Sequence, residues 1–199
     1  MSEYSVKDYG NITDIKVYGL DESIKRAKYP MSIDTSTLNS DITNGIVALA
    51  SCEKGTGHDQ WLTGVIVQFD LTYTIKAWTE AERYNWLDFI SSQSTIHRIA
   101  KFDIENQCCK YVTQATLAEV NRLKDIYESD PTPDNYLYLL YNTPVGFKLT
   151  AGMTTNYRQL KTIYAQRKNH KLPEWKEFCA WIETLPMFKE LCLRSGSNE

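Results

Sequence analysis

The hydrophobic and polar positions divide this chain into a strand-bearing first half and a helix-rich second half. Gly64-Val-Ile-Val-Gln-Phe-Asp-Leu-Thr72 is the clearest strand, because it is rich in β-branched residues. Thr13-Asp-Ile-Lys-Val-Tyr-Gly19 alternates in polarity and predicts an edge strand. Residues 22–28 predict a short helix ended by Pro30, and Asp34 to Asn44 is loop-like. Gly45 to Cys52 is apolar enough for a buried helix. Residues 73–89 predict an aromatic-rich helix, which Ser91-Ser-Gln-Ser94 ends by competing for backbone hydrogen bonds.

The second half is punctuated by prolines. Residues 115–128 have a conventional helical pattern, broken by Pro131 and Pro133, and Asp134 is placed to cap a short helix through Tyr141. After Pro144 comes the stretch Thr154 to His170, which reads as one long helix. Pro173 opens another, to about residue 184, and Pro186 stops it. The tail 194–199 reads as disordered. No repeat or linker divides the chain, so the expected fold is a single mixed α/β domain over residues 1–193.

The stretch 154–170 carries the sharpest chemical signal. At helical spacing Asn156, Leu160, Ile163, Tyr164 and Arg167 share a face, and the apolar members make it the inward one. The chain therefore aims an amide and a guanidinium toward its own interior. A buried guanidinium is costly unless a counter-charge meets it. That counter-charge is either a carboxylate of the fold or an anionic ligand.

Composition narrows the alternatives. With 199 residues the chain has room for one substantial core, and 42% hydrophobic with 24% charged residues is ordinary for a soluble globular protein. The net charge of −3 shows no basic surplus for nucleic acid. The 13 tyrosines and 5 tryptophans suit cores, subunit interfaces and flat ligands alike. The cysteines at 52, 108, 109, 179 and 192 are odd in number and form no CxxC pair, which predicts reduced, idle thiols in a cytoplasmic protein. The three histidines lack metal-ligand spacing, and no run suggests a signal peptide or a membrane span.

Other polar residues add to Arg167. Glu80, Arg83, Tyr84 and Leu87 occupy neighbouring positions of one helical face, and the Ser-Ser-Gln-Ser turn, His97 and Arg98 follow. Arginine forks with hydroxyls and backbone N–H groups can make a phosphate site. The alternative is a surface Glu80–Arg83 pair and serines that merely end a helix. Glu53-Lys-Gly-Thr-Gly-His58 is turn chemistry, with glycines where the backbone must bend or approach something closely.

These residues resemble the flavin-dependent thymidylate synthases. Asn156-Tyr-Arg158-Gln-Leu160, followed by Arg167 and His170, is similar to that family's Asn-x-Arg-x-Leu helix with its closing Arg and nearby His. Pro144 upstream, the Gly57-His58 turn, the strand 64–72 and Arg83 fall in the family's order, so the resemblance spans roughly residues 45 to 185. It implies a homotetramer in which FAD, dUMP and a folate meet where subunits join, with NADPH as reductant and methylenetetrahydrofolate as carbon donor. On that resemblance Arg167 holds the pyrimidine, with Ser94 as its catalytic companion. Arg83 and His58 contact nucleotide and flavin, and Asn156, Arg158 and His170 sit on the flavin side. Gln93 and one of Ser91, Ser92 or Ser94 line the polar turn near the substrate, and Arg98 meets the phosphate.

The chain also departs from the family pattern. The Arg-His-Arg signature reads Arg83-Tyr84-Asn85, a nucleotide-binding Arg is Leu140, and a Gln is Glu80. Exchanging a phosphate-facing cation for Leu or Glu costs on the order of a few kcal/mol of nucleotide affinity. Three functions stay open: a flavin-dependent enzyme acting on a pyrimidine nucleotide, a non-catalytic nucleotide- or partner-binding relative, and a purely structural homo-oligomer.

Overall fold

The computed structural model describes residues 3–53 and 55–193, and the tail 194–199 lies outside the described residues. Its centre is a five-stranded antiparallel sheet built from Glu3–Val6 (β1), Ile12–Tyr18 (β2), Ile66–Thr74 (β3), Asp88–Ser92 (β4) and Lys148–Asn156 (β5). The strand order is β1-β2-β3-β5-β4. The clearest strand of the sequence is thus the middle of the sheet. Val67, Phe69, Leu71 and Tyr73 of β3 are buried on one face, beside Ala151, Met153 and Thr155 of β5.

The helices are Leu20–Ala27 (α1), Asn44–Ser51 (α2), Ile75–Ala81 (α3), Thr95–Arg98 (α4), Ile104–Gln107 (α5), Gln114–Ser129 (α6), Pro133–Tyr141 (α7), Tyr157–Arg167 (α8) and Pro173–Ile182 (α9). α8 and α9 cover the buried face of the sheet. Phe69 meets Trp181 at 4.6 Å between ring centroids, and Tyr73 meets Trp175 at 5.6 Å. Burying such rings contributes roughly 2–3 kcal/mol each in transfer free energy, with edge and tilted contacts adding to it. A second apolar cluster joins α6 and α7 to the sheet through Leu117, Val120, Leu123, Leu139 and Phe147.

Four sequence expectations are corrected. The strand near residues 13–19 is interior, because β1 pairs along its outer side, Tyr4 facing Val17. The expected helix 73–89 is strand to Thr74, helix only to Ala81, then a turn and the strand β4. The Thr74 hydroxyl accepts from Ala77 N and starts α3, and the backbone ladder between β4 and β5 overrides the aromatic-rich helical pattern. The helix expected from residue 154 begins at Tyr157, since Thr154 to Asn156 complete β5 against β3. Thr132, not Asp134, caps α7, with Pro133 at the first helical position.

Candidate functional site

α8 starts where β5 ends, and the junction is made by Asn156. Its backbone is extended, and its side-chain Oδ1 accepts from Gln159 N at 2.9 Å. Asn156 is therefore the N-cap of the helix rather than a member of its inward face. One turn on, Arg158 and Lys161 reach toward the same carboxylate. Arg158 Nε donates to Asp59 Oδ1 at 2.9 Å, and Lys161 Nζ lies 3.1 Å from Oδ2. Lys161 also donates to the Ala50 and Cys52 carbonyls, and Arg158 Nη1 to Gln60 Oε1 at 2.6 Å. Asp59 is buried. One carboxylate facing two cations leaves a surplus of positive charge at the start of α8, where the helix dipole adds to it.

That charge borders a cleft of about 660 Å³ lined by Gln60, Trp86, Asn156, Arg158, Gln159 and Thr162, among others. Trp86 is 67% exposed, and its backbone is left-handed, with φ 68°. The Thr155 hydroxyl donates to the Trp86 carbonyl at 2.6 Å and holds this turn in place. A bulky residue in that conformation costs about 1–2 kcal/mol, and this strained backbone presents the indole to the cleft wall. Gly55 and Gly57 bend the approach to Asp59 with φ of 96° and 79°. A Cβ at either would meet nothing within 4 Å, so bending, not close approach, explains both glycines.

The other end of α8, about 16 Å away along an eleven-residue helix, holds Arg167. The guanidinium is inward-facing, with 13% of the side chain exposed. Its counter-charge is a carboxylate of the fold: Nη1 meets Glu80 Oε2 at 3.0 Å. Nε donates to the Tyr84 hydroxyl at 2.6 Å, and the rings of Tyr84 and Trp175 cover the group at 5.2 and 4.7 Å. The hydrogen bond from Arg167, with Lys76 at 3.5 Å, holds the Glu80 carboxyl below its usual range. His170 Nε2 stands 3.9 Å from the same carboxylate, and its Nδ1 accepts from Leu172 N. Glu80 therefore pairs with Arg167 and not with Arg83, which is exposed.

The remaining expected residues lie beyond β4. Gln93 extends the sheet: its N donates to Thr150 O, and its Oε1 accepts from Thr150 N, both at 2.9 Å. Ser94 Oγ and His97 Nδ1 are 2.8 Å apart, and Arg98 is exposed. Ser91 and Ser92 belong to β4 itself. The expected set thus separates into the start of α8 (Asn156 and Arg158, with exposed His58 preceding Asp59), its end (Arg167 and His170), and the segment after β4. Sequence reasoning missed Asp59, Lys161, Thr162 and Trp86. The spacing of Arg158, Lys161 and Thr162 on one helical face was a usable signal, whereas nothing local marks Trp86.

Among the described residues no three His, Cys, Asp or Glu side chains converge as a metal site, and no helix is long and apolar enough to cross a membrane. Burial pushes the Cys179 thiol up to about 11 and the Cys192 thiol up to about 12.

No protein-family model matches the sequence, and no curated protein matches it. The fold does match solved structures. The flavin-dependent thymidylate synthase ThyX from Helicobacter pylori, complexed with FAD and dUMP, superposes with a TM-score of 0.67 at 14% identity over 96% of both chains. A second structure of the Helicobacter pylori enzyme with FAD and dUMP gives 0.69 at 14% identity, over 90% of this chain and 96% of that one. This chain therefore has the fold of those enzymes.

Proposed function

We propose that this chain is a flavin-dependent, thymidylate synthase-like enzyme that methylates a pyrimidine nucleotide at C5, using FAD, NADPH and methylenetetrahydrofolate. The observation that carries the reading is the cleft at the start of α8, where the exposed Trp86 indole stands beside Asn156, Arg158 and a surplus positive charge. A flat ring suits the indole, a phosphate suits the Arg158 guanidinium, and the amides of Gln60 and Gln159 supply further donors and acceptors. These residues fit a flavin nucleotide, and solved proteins of this fold are complexed with FAD and dUMP.

Bound flavin would supply reducing equivalents; the chain's own residues bind and orient. In this reading Asn156 and Arg158 hold the flavin side, with His58 and Arg83 at the rim, and His170 fixes the end of α8. Arg167, Gln93, Ser94 and Arg98 serve the pyrimidine nucleotide. The homotetramer that brings these groups together draws support from β4, a sheet edge on which every residue is exposed, including Phe89 and Ile90. A cytoplasmic setting goes with this role.

One observation favours a second reading, a non-catalytic nucleotide-binding relative. Glu80, Tyr84 and Trp175 already enclose the Arg167 guanidinium, so a substrate anion must compete with a carboxylate of the fold. The absorbance spectrum of freshly purified protein, and its melting temperature with FAD and then dUMP, test the common core. Flavin uptake with dUMP-dependent NADPH oxidation supports the enzyme. Stabilisation by nucleotide without NADPH oxidation supports the binding protein. A colourless protein that neither ligand stabilises overturns both.

A further inference from the structure

A larger cleft, about 780 Å³, opens on another part of the molecule, between the start of α9, residues 108–113, the turn Pro144–Gly146 and the paired ends of β3 and β5. Four lysines line it, Lys76, Lys110, Lys148 and Lys171, against two glutamates, Glu174 and Glu177. Lys76 reaches Glu80 at 3.5 Å. The other three form no ion pair among the described residues. In a chain of net charge −3 this concentration of positive charge is local, not a reflection of composition.

The two glutamates are not equivalent. Both oxygens of Glu177 are taken by Asn11, at 2.9 Å from its backbone N and 2.8 Å from Nδ2. Glu174 Oε1 accepts from the Thr74 hydroxyl at 2.7 Å, but its buried Oε2 has no partner. Shut away from solvent, that oxygen is out of a ligand's reach as well, so neither glutamate offers the cleft a free acceptor.

The opposite wall is closely fitted. A Cβ at Gly146 would lie 2.5 Å from Val112 Cγ2 and 3.0 Å from Cys109 Sγ, so only glycine lets the two segments meet. Cys109 N donates to Gly146 O at 2.9 Å, and Gln107 Nε2 to Lys148 O at 2.8 Å. The Lys148 backbone is thereby anchored where the ends of β3 and β5 pair.

The geometry points to a second ligand site in this cleft, one that takes a phosphoester of nucleotide or sugar-phosphate size. The uncommitted ammonium groups meet the phosphate as point charges. The volume lies within the range of small-molecule sites.

The test is calorimetric titration of the full chain carrying Arg158→Gln, which weakens anion binding at the α8 cleft. Inorganic phosphate, ribose 5-phosphate and AMP are the probes. At least one phosphoester binds at least tenfold more tightly than inorganic phosphate. Lys148→Gln with Lys171→Gln weakens it at least tenfold at unchanged melting temperature. Binding of AMP alone assigns a nucleotide, and binding of ribose 5-phosphate alone or of both assigns the sugar phosphate as sufficient. No heat with any probe at about 5 mM, or binding indifferent to the lysine pair, overturns the site. The result is independent of flavin uptake, which is measured on the unmodified chain.

Discussion

Arg167 Nη1 lies 3.0 Å from Glu80 Oε2, so the inward cation of α8 finds its counter-charge on α3. The pair joins the end of one helix to another element 87 residues earlier, with Tyr84 and Trp175 closing over it. Removing either partner leaves the other without its match in a largely covered setting. We expect Glu80→Gln and Arg167→Met each to lower the melting temperature. The double variant should lose less than the sum of the two, as a thermal double-mutant cycle would show. Additive losses would mean that the pair does not couple.

The same pair sets an acid limb. Arg167 holds the folded-state pKa of Glu80 below its ordinary value, so its contribution is present above the unfolded-state pKa and is lost as pH falls through the folded one. Urea unfolding of the native chain should therefore show stability falling from about pH 5 downward. In Glu80→Gln that fall should be shallower. An unchanged acid limb in the variant would assign the effect to other carboxylates.

Asp59 serves two cations at the candidate site. Asp59→Asn should destabilise the chain by about 2–3 kcal/mol, less than for a fully buried pair because Arg158 keeps about a third of its side chain in water. Chemical denaturation measures this. Arg158→Gln should cost little stability and weaken FAD binding at least tenfold, about 1.4 kcal/mol, in a fluorescence titration.

Trp86 offers a split between stability and binding. Its left-handed backbone is strained for tryptophan and relaxed for glycine. Trp86→Gly should leave the melting temperature unchanged or higher while weakening FAD uptake, because the Thr155 bond to its carbonyl survives and the indole does not. A large loss of stability would show that the indole packs rather than waits for a ligand.

The core gives the largest effect. Trp181 is fully buried against Phe69 and Phe178, so Trp181→Ala should cost about 3–5 kcal/mol by denaturant titration. No ligand site need be invoked.

Local patterns in the sequence were enough to identify β3, α1, α2, α6 and α9, and the inward direction of Arg167. These depend on the residue's own period, its caps and nearby prolines, all encoded within a few positions. The resemblance to flavin-dependent thymidylate synthases likewise reached the fold, through residues on α8 and before it. Three things were decided only by the tertiary structure. β4 is a strand because β5 supplies its hydrogen bonds, although its own segment reads as the end of a helix and the polar stretch that closes it. Arg167 is neutralised because α3 and the turn after it carry Glu80 and Tyr84 to the end of α8. The cleft at the start of α8 exists because Trp86 and Asp59, 27 positions apart, meet the same helical turn. Each depends on partners distant in the chain, and pairing between distant segments leaves no period in the local sequence.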